Sequence, residues 1–362
     1  MNSIEAVSVT RILDARGEDA VEAEVVTTSG YGRCSFPAAS ETIRRAREDI
    51  TTLIGKDASQ QAEIDELLQD VFSLPNMSMV FSVATANAAA ASLEMPLYRY
   101  LGGPFANAMP YPLLNIFSAE SDYFIVPIGA SSFASGIAAS ISIHQEFSEL
   151  NVPREINDID VLDRLSSIIK GASSRFGFEI KLGIDLTPSH YTSSDRDRSQ
   201  LRGTGGMNRF KYVSDLIERY DLYYVEDSFD RTEFQYQEQL NDAFRARCLI
   251  ASNACEHSPA VDASHPRTLE EPSISLLTPT TTIFSVFRTH AQAQANSYGC
   301  AMLTHNSTTC ETSPSHLAVA LSTPFVKLNV KGSENTSKIN ELLRIEQELF
   351  EGSSCRMARK PI

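Results

Sequence analysis

The 362-residue sequence has no CxxC pair and no cysteine–histidine spacing of the kind a zinc site requires. Its six cysteines, Cys34, Cys248, Cys255, Cys300, Cys310 and Cys355, are scattered. They read as reduced thiols, mostly small fillers of apolar space, which excludes a disulfide scaffold and a zinc module. Basic side chains are in deficit, 31 Lys and Arg against 46 Asp and Glu, for a net charge of -15. Such a charge repels phosphate backbones and anionic lipid alike, so neither a nucleic-acid nor a membrane partner is expected. Long apolar runs are missing too. The most apolar stretch, Met79 to Leu93, is broken by Ser82, Thr85, Asn87 and Ser92 and is too short to span a bilayer. The amino terminus carries Glu5 and has no basic n-region or apolar run, so no signal peptide is read and the cytoplasm is the expected compartment.

What is present is a chain with 42% hydrophobic residues, enough to bury a full core as one large barrel or two domains. Residues 6 to 36 alternate as strands do, with Val21, Ala23 and Val25 on one face, Glu22 and Glu24 on the other and a turn at Ser29-Gly30. From Glu41 to about Gly103 the period becomes helical. Residues 1–108 therefore read as an α+β cap, residues 109–362 as a second domain, and Ala106 to Pro112, with two prolines, as the linker. Beyond it, short apolar runs end on Asp185, Glu226, Ser252, Thr278, His305 and Lys327, at intervals of 22 to 41 residues. A strand, a helix and two short loops need about that length, and repeated parallel units of this kind close most easily into a barrel. The fold class is thus α/β, a (β/α)8-type barrel with an amino-terminal α+β cap. An open doubly wound sheet competes, but no glycine-rich phosphate loop follows the first strand. In a barrel the carboxyl ends of the strands carry the chemistry.

ILDARG (Ile12 to Gly17), followed by VEAEVVTTSGYGR, resembles the opening of enolases. Further matches come in the same order: PLYRYLGG (Pro96 to Gly103), Pro110 to Ala130 ending in VPIGA, GIDLTPSHY (Gly183 to Tyr191), VEDSF (Val225 to Phe229) and INELLRIEQEL (Ile339 to Leu349). HLAVA (His316 to Ala320) is similar to the archaeal branch. The resemblance runs over nearly the whole chain. It implies an enolase-like modified barrel under a small cap, often dimeric, that interconverts 2-phosphoglycerate and phosphoenolpyruvate with Mg2+. That reaction asks for three metal carboxylates, a base for the carbon-bound proton, an acid for the departing hydroxide and cations for the phosphate.

Carried over residue by residue, the resemblance makes Asp185 and Glu226 two metal ligands; the plainer reading of each is a polar strand end capping a loop. Ser252-Asn253 falls where the family has two successive aspartates, so the third ligand position, Ser252, is neutral. Mg2+ affinity should be weakened or absent. Thr278 replaces the base lysine of the LLLKVNQIGT-type stretch, a loss that alone typically costs ~10²–10⁴ in rate. The acid-bearing GDEGGFAP block has no counterpart between Glu146 and Asp158. Asp122, in SDYF, corresponds to a catalytic-site carboxylate of the family's QEFM stretch. In THNS (Thr304 to Ser307), His305 and Ser307 remain from the substrate-binding SHRS, while the phosphate arginine has become Asn306, which offers neither charge nor a bidentate fork. Lys327 in FVKLN matches the lysine that grips the substrate carboxylate; its bland alternative is an ion pair with Glu226 or Asp185 in an empty site. The lid PSGAST is shortened to PAAS, leaving Ser40 as its substrate-side hydroxyl. Lys181 shares face parity with Asp185 but lies roughly 13 Å below it along the strand, as a core ion-pair member. Cys310, near His305 in sequence, reads as filler rather than a nucleophile. His144, His190, His257, His265 and His290 have no partner spacing.

Three functions follow. One is an active Mg2+-dependent enolase in which groups such as Asn253, Glu256 or Lys327 stand in for the missing ones. Another is a related lyase or proton-transfer reaction on a small carboxylate, using Asp185, Glu226 and Lys327 with His305 as base. The third, which the joint loss of base, acid, third metal ligand and phosphate arginine favours, is a catalytically impaired or inactive paralogue that keeps the fold to bind a ligand or a protein. For assembly the resemblance implies a homodimer, or a hetero-oligomer with an active paralogue.

Overall fold

The structure is a computed structural model that describes residues 2–72, 75–186, 206–226, 228–229, 233–252, 274–304 and 309–362. The alternating segment forms an antiparallel meander of β1 (Ile4–Leu13), β2 (Asp19–Thr27) and β3 (Tyr31–Pro37). Its apolar parity is kept, since Val21, Ala23 and Val25 are fully buried. The helical segment gives α1 (Ser40–Asp49), α2 (Gln61–Val71), α3 (Pro75–Ser92) and α4 (Leu97–Gly102). The alanine-rich α3 lies directly on β3, where a Cβ on Gly30 or Gly32 would run into α3 backbone. Those two glycines let helix and strand approach at backbone distance.

The expected linker is structured instead. Ala108–Met109 form β4, paired in parallel with β13 (Arg356–Met357) near the carboxyl terminus, and the first barrel strand already begins at Tyr111. Eight strands close the barrel: β5 (Tyr111–Ser118), β6 (Asp122–Val126), β7 (Lys181–Asp185), β8 (Tyr224–Glu226), β9 (Leu249–Ser252), β10 (Ile274–Leu277), β11 (Gly299–Leu303) and β12 (Phe325–Asn329). Every apolar run taken as a strand is one, although β10 and β11 stop just before Thr278 and His305 and β12 runs two residues past Lys327. One departure from the repeated parallel unit matters. β6 is antiparallel to both β5 and β7, while the other neighbours are parallel. Its first residue, not its last, therefore reaches the mouth.

Helices α5 (Phe133–Ser148), α6 (Asp158–Phe176), α7 (Gly206–Tyr220), α8 (Phe234–Phe244), α9 (Ile283–Ala295), α10 (Ser313–Ala320) and α11 (Ser333–Glu351) accompany the barrel strands. Local caps set several of their starts. Ser132 and Ser135 form a reciprocal capping box at α5, Asn157 accepts from the Asp160 amide at α6, and Gly177 ends α6 in the left-handed region at φ +76°. Strands buried on both faces read as continuous apolar runs, as in β6 and β10.

The cap grips the barrel through hydrogen bonds to its loops and helices. Asp65 of α2, fully buried, accepts the Phe284 amide at the start of α9 at 2.7 Å, and Ser82 of α3 accepts the Ile283 amide at 3.0 Å. Beside β3, the Ser35 amide donates to Glu311 and the Thr309 hydroxyl to the Ser35 carbonyl. Both barrel segments follow mouth-side strand ends, so cap docking positions the rim. Among the described residues no helix is long and apolar enough to cross a membrane.

Candidate active site

The barrel interior at the mouth is built in two layers. In the upper one, β6, β7 and β8 bring Asp122, Asp185 and Glu226 to one level, in register across the three strands, with each residue at most 5% exposed. Two residues deeper, Phe124, Gly183 and Tyr224 are likewise in register. The missing side chain of Gly183 is what admits the aromatic pair beside it, because a Cβ there would sit 3.0 Å from that of Tyr224 and 3.3 Å from that of Phe124. The two rings meet edge to face with centroids 5.9 Å apart.

Lys327 enters from β12, across the barrel. Its Nζ donates to Asp185 Oδ2 at 3.0 Å and to Glu226 Oε2 at 2.6 Å, and lies 4.9 Å from the centre of the Phe124 ring. The Tyr224 hydroxyl donates to the same Glu226 oxygen at 2.6 Å. Burial alone would lower the lysine pKa, but the two carboxylates outweigh it and hold the ammonium well above the ordinary lysine range. Apolar side chains flank these groups, with Leu113 beside Lys327 on β5 and Ala251 beside Glu226 on β9.

Asp185, Glu226 and Lys327 thus meet, as an ion triad, and Asp122 joins them at the same level. Thr278 has a buried hydroxyl with no hydrogen-bond partner among the described residues, and so has Ser228, two residues after Glu226. Ser40 begins α1 in the cap, where its exposed hydroxyl donates to Asp19. Asn253, Glu256, His190, His257, His265, His305, Asn306 and Ser307 lie outside the described residues, as does the side chain of Ser252. Lys181 is at the foot of β7, paired with Glu179 at 3.1 Å and with Asp221; both partners are exposed, so it is a rim ion pair and not a core one. Cys310 is free and exposed, the opposite of a buried filler. His144 meets the Ile116 carbonyl at 3.0 Å. Sequence reasoning missed Tyr224 and Phe124. The signal was there, because each lies two residues from an acidic strand-end residue and so shares its face.

The three-carboxylate Mg2+ site that the resemblance implies asks for three carboxylates converging on one point. Among the described residues, no group of three or more His, Cys, Asp and Glu side chains could hold a metal ion. Asp122, Asp185 and Glu226 share a level without converging, and an ammonium is bonded to two of them. The described residues do not fit that site.

A closed eight-stranded barrel under an α+β cap, with three acids and one lysine gathered at its mouth, defines the class: a capped β/α barrel with its charged groups where such barrels carry their sites. Residues 152–359 match the family model "Enolase, C-terminal TIM barrel domain", and the chain belongs to the enolase family. It is 27% identical to the enolase of Methanothermobacter thermautotrophicus over 96% of this chain and 97% of that one. It is 28% identical to the enolase of Halorubrum lacusprofundi, over 96% and 100%, and 30% identical to that of Natronomonas pharaonis, over 96% and 99%. The first alignment runs over 410 positions against a chain of 362 residues, so several dozen of its positions face a gap in this chain.

Proposed function

We propose that this protein is a non-catalytic or strongly impaired member of the enolase family, a cytoplasmic barrel that binds a small carboxylate at its mouth instead of dehydrating 2-phosphoglycerate. The observation that carries the reading is the Asp185–Lys327–Glu226 triad. An ammonium bonded to both carboxylates answers their charge from within the chain, which removes the demand for Mg2+. Thr278 supports it: a hydroxyl offers no general base at neutral pH, and this one has no hydrogen-bond partner among the described residues. Lys327 then becomes the anchor for a ligand carboxylate, in competition with Asp185 and Glu226. Magnesium binding is weakened or lost, and assembly as a homodimer or with a paralogue follows the family.

A second reading keeps some lyase activity on a carboxylate substrate. It is favoured by Asp122, which sits beside Asp185 where a proton-transfer carboxylate could act.

Calorimetric titration with oxalate, with and without Mg2+, tests the proposal. The expected result is binding that Mg2+ does not strengthen. Oxalate binding that requires Mg2+ would overturn it in favour of a working metal site.

A further inference from the structure

A cavity of about 200 Å³ opens at the end of the barrel opposite the charged mouth. Its floor is the foot of β11, at Gly299 and Cys300, and Pro324 just before β12. Pro324 is three strand residues, roughly 10 Å, from Lys327, so the cavity is separate from the mouth. His290 and Gln294 of α9 form one wall, Tyr298 another, and Arg356 and Arg359 of the carboxyl-terminal tail a third. In a chain with 46 acidic residues against 31 basic ones, no acidic side chain lines it among the described residues.

The groups facing it are donors in want of an acceptor. His290 is only 8% exposed, and its ring has no hydrogen-bond partner among the described residues. Burial lowers its pKa, and a neutral imidazole still keeps one N–H to donate. An acceptor entering the cavity would give that N–H a partner. Arg359 has no hydrogen-bond or ion-pair partner among the described residues. Arg356 gives Nε to Asn107 Oδ1 at 3.1 Å, and its remaining guanidinium N–H groups meet no protein acceptor there. Pairing of β13 with β4 fixes the tail that carries both arginines. Two guanidinium forks over a buried imidazole suit an anion with several oxygens. The volume lies below the roughly 300 Å³ at which pockets for drug-sized ligands begin, which restricts the guest to a compact one.

We propose that this cavity is a second binding site, for a small multiply charged oxyanion, a phosphate monoester or a compact dicarboxylate, held by Arg356, Arg359 and His290. The site is independent of whatever the mouth does.

Calorimetric titrations of the full chain with inorganic phosphate and with malonate test this, on the parent protein and on Arg356→Gln, Arg359→Gln and Arg344→Gln. Both tail arginines are exposed, so the variants should fold, and far-UV circular dichroism checks that they do. Arg344 is a surface control on α11 that removes the same charge elsewhere. The expected result is one anion per chain whose binding is weakened about tenfold or more by either tail substitution, as the loss of a charged hydrogen bond implies, and unchanged by Arg344→Gln; malonate held at the mouth by Lys327 adds a second event that neither tail substitution alters. Binding of phosphate alone assigns the phosphate class, and of malonate alone the carboxylate class. Binding of both assigns a general oxyanion site. The proposal is overturned if neither anion binds at millimolar concentration, if neither tail substitution weakens any of the binding, or if Arg344→Gln weakens it equally.

Discussion

Lys327 reaches across the barrel to carboxylates on β7 and β8 that are themselves almost fully buried. Removing one partner from such a set leaves charge uncompensated in a low-dielectric interior, which costs about 3–5 kcal/mol. Because Lys327 itself is part-exposed, the lower end applies. Lys327→Met is expected to lose about 3 kcal/mol in urea denaturation, and a loss under about 1 kcal/mol would mean that the triad contributes little to stability. Since its folded pKa is raised, the stabilisation is present below the unfolded lysine value of about 10.4 and declines as pH rises beyond it. Lys338 of α11 is the converse case. It is fully buried, it donates to the carbonyls of Thr309 and Glu334, and burial pushes its pKa down to about 8, against the opposing pull of Glu311 and Glu334. Between about pH 8 and about pH 10.4 the unfolded chain holds a proton that the folded chain has released, so this group's contribution to stability rises with pH across that window. A nuclear magnetic resonance titration of its side chain should give a midpoint near 8, whereas a midpoint above 10 would contradict the account. The charged strand ends were legible in the sequence because a polar residue closing an apolar run is a local signal. Tyr224 and Phe124 went unread because an aromatic residue in such a run looks like core until its neighbour across the barrel is known.

At the scale of elements, the cap holds the barrel by capping one of its helices in trans. Thr282 supplies the local cap of α9, accepting from the Ser285 amide at 3.2 Å, while Ser82 and Asp65 take the two preceding amides, of Ile283 and Phe284, from across the interface. Gln69 adds bonds to Thr282 and Ser285. A carboxylate against a helix amino terminus gains from both hydrogen bond and dipole. Asp65→Ala should therefore cost about 2 kcal/mol and speed hydrogen exchange at Phe284, and unchanged exchange would show that the contact does not hold α9. Glu346 of α11 plays the same part for α5, accepting the Ala134 amide at 2.9 Å. Neither arrangement could be read from the chain, since capping signals are local and Asp65 lies more than 200 residues from the amide it accepts. The reversed β6 was unreadable for a related reason: DYFIV is buried throughout, and an apolar run carries no mark of direction. The reversal explains why Asp122, at the start of its strand, stands level with Asp185 at the end of its own. The expected linker failed where Pro110 and Pro112 suggested a break, because the residues between and around them are held by β12 and β13.

For the whole molecule, one contiguous hydrophobic cluster runs from Ile4 in the cap to Leu349 in α11, and a second fills the barrel. The barrel was foreseeable because each apolar run recurred at the length of one strand–helix unit, and closure into a barrel is what such repetition allows. The same scaffold that accounts for the family match leaves the reaction open, since overall similarity weighs a few positions at the mouth no more than any others. The measurement that bears most directly on the central claim is turnover of 2-phosphoglycerate at saturating Mg2+, followed as phosphoenolpyruvate formation beside an ordinary enolase at matched concentration. On the proposed reading, which puts Thr278 and Ser252 at the positions of base and metal ligand and has Lys327 closed on Asp185 and Glu226, no turnover above background is expected. Turnover within a few orders of magnitude of the control would contradict the account and return Asp122, Asp185 and Glu226 to a working site.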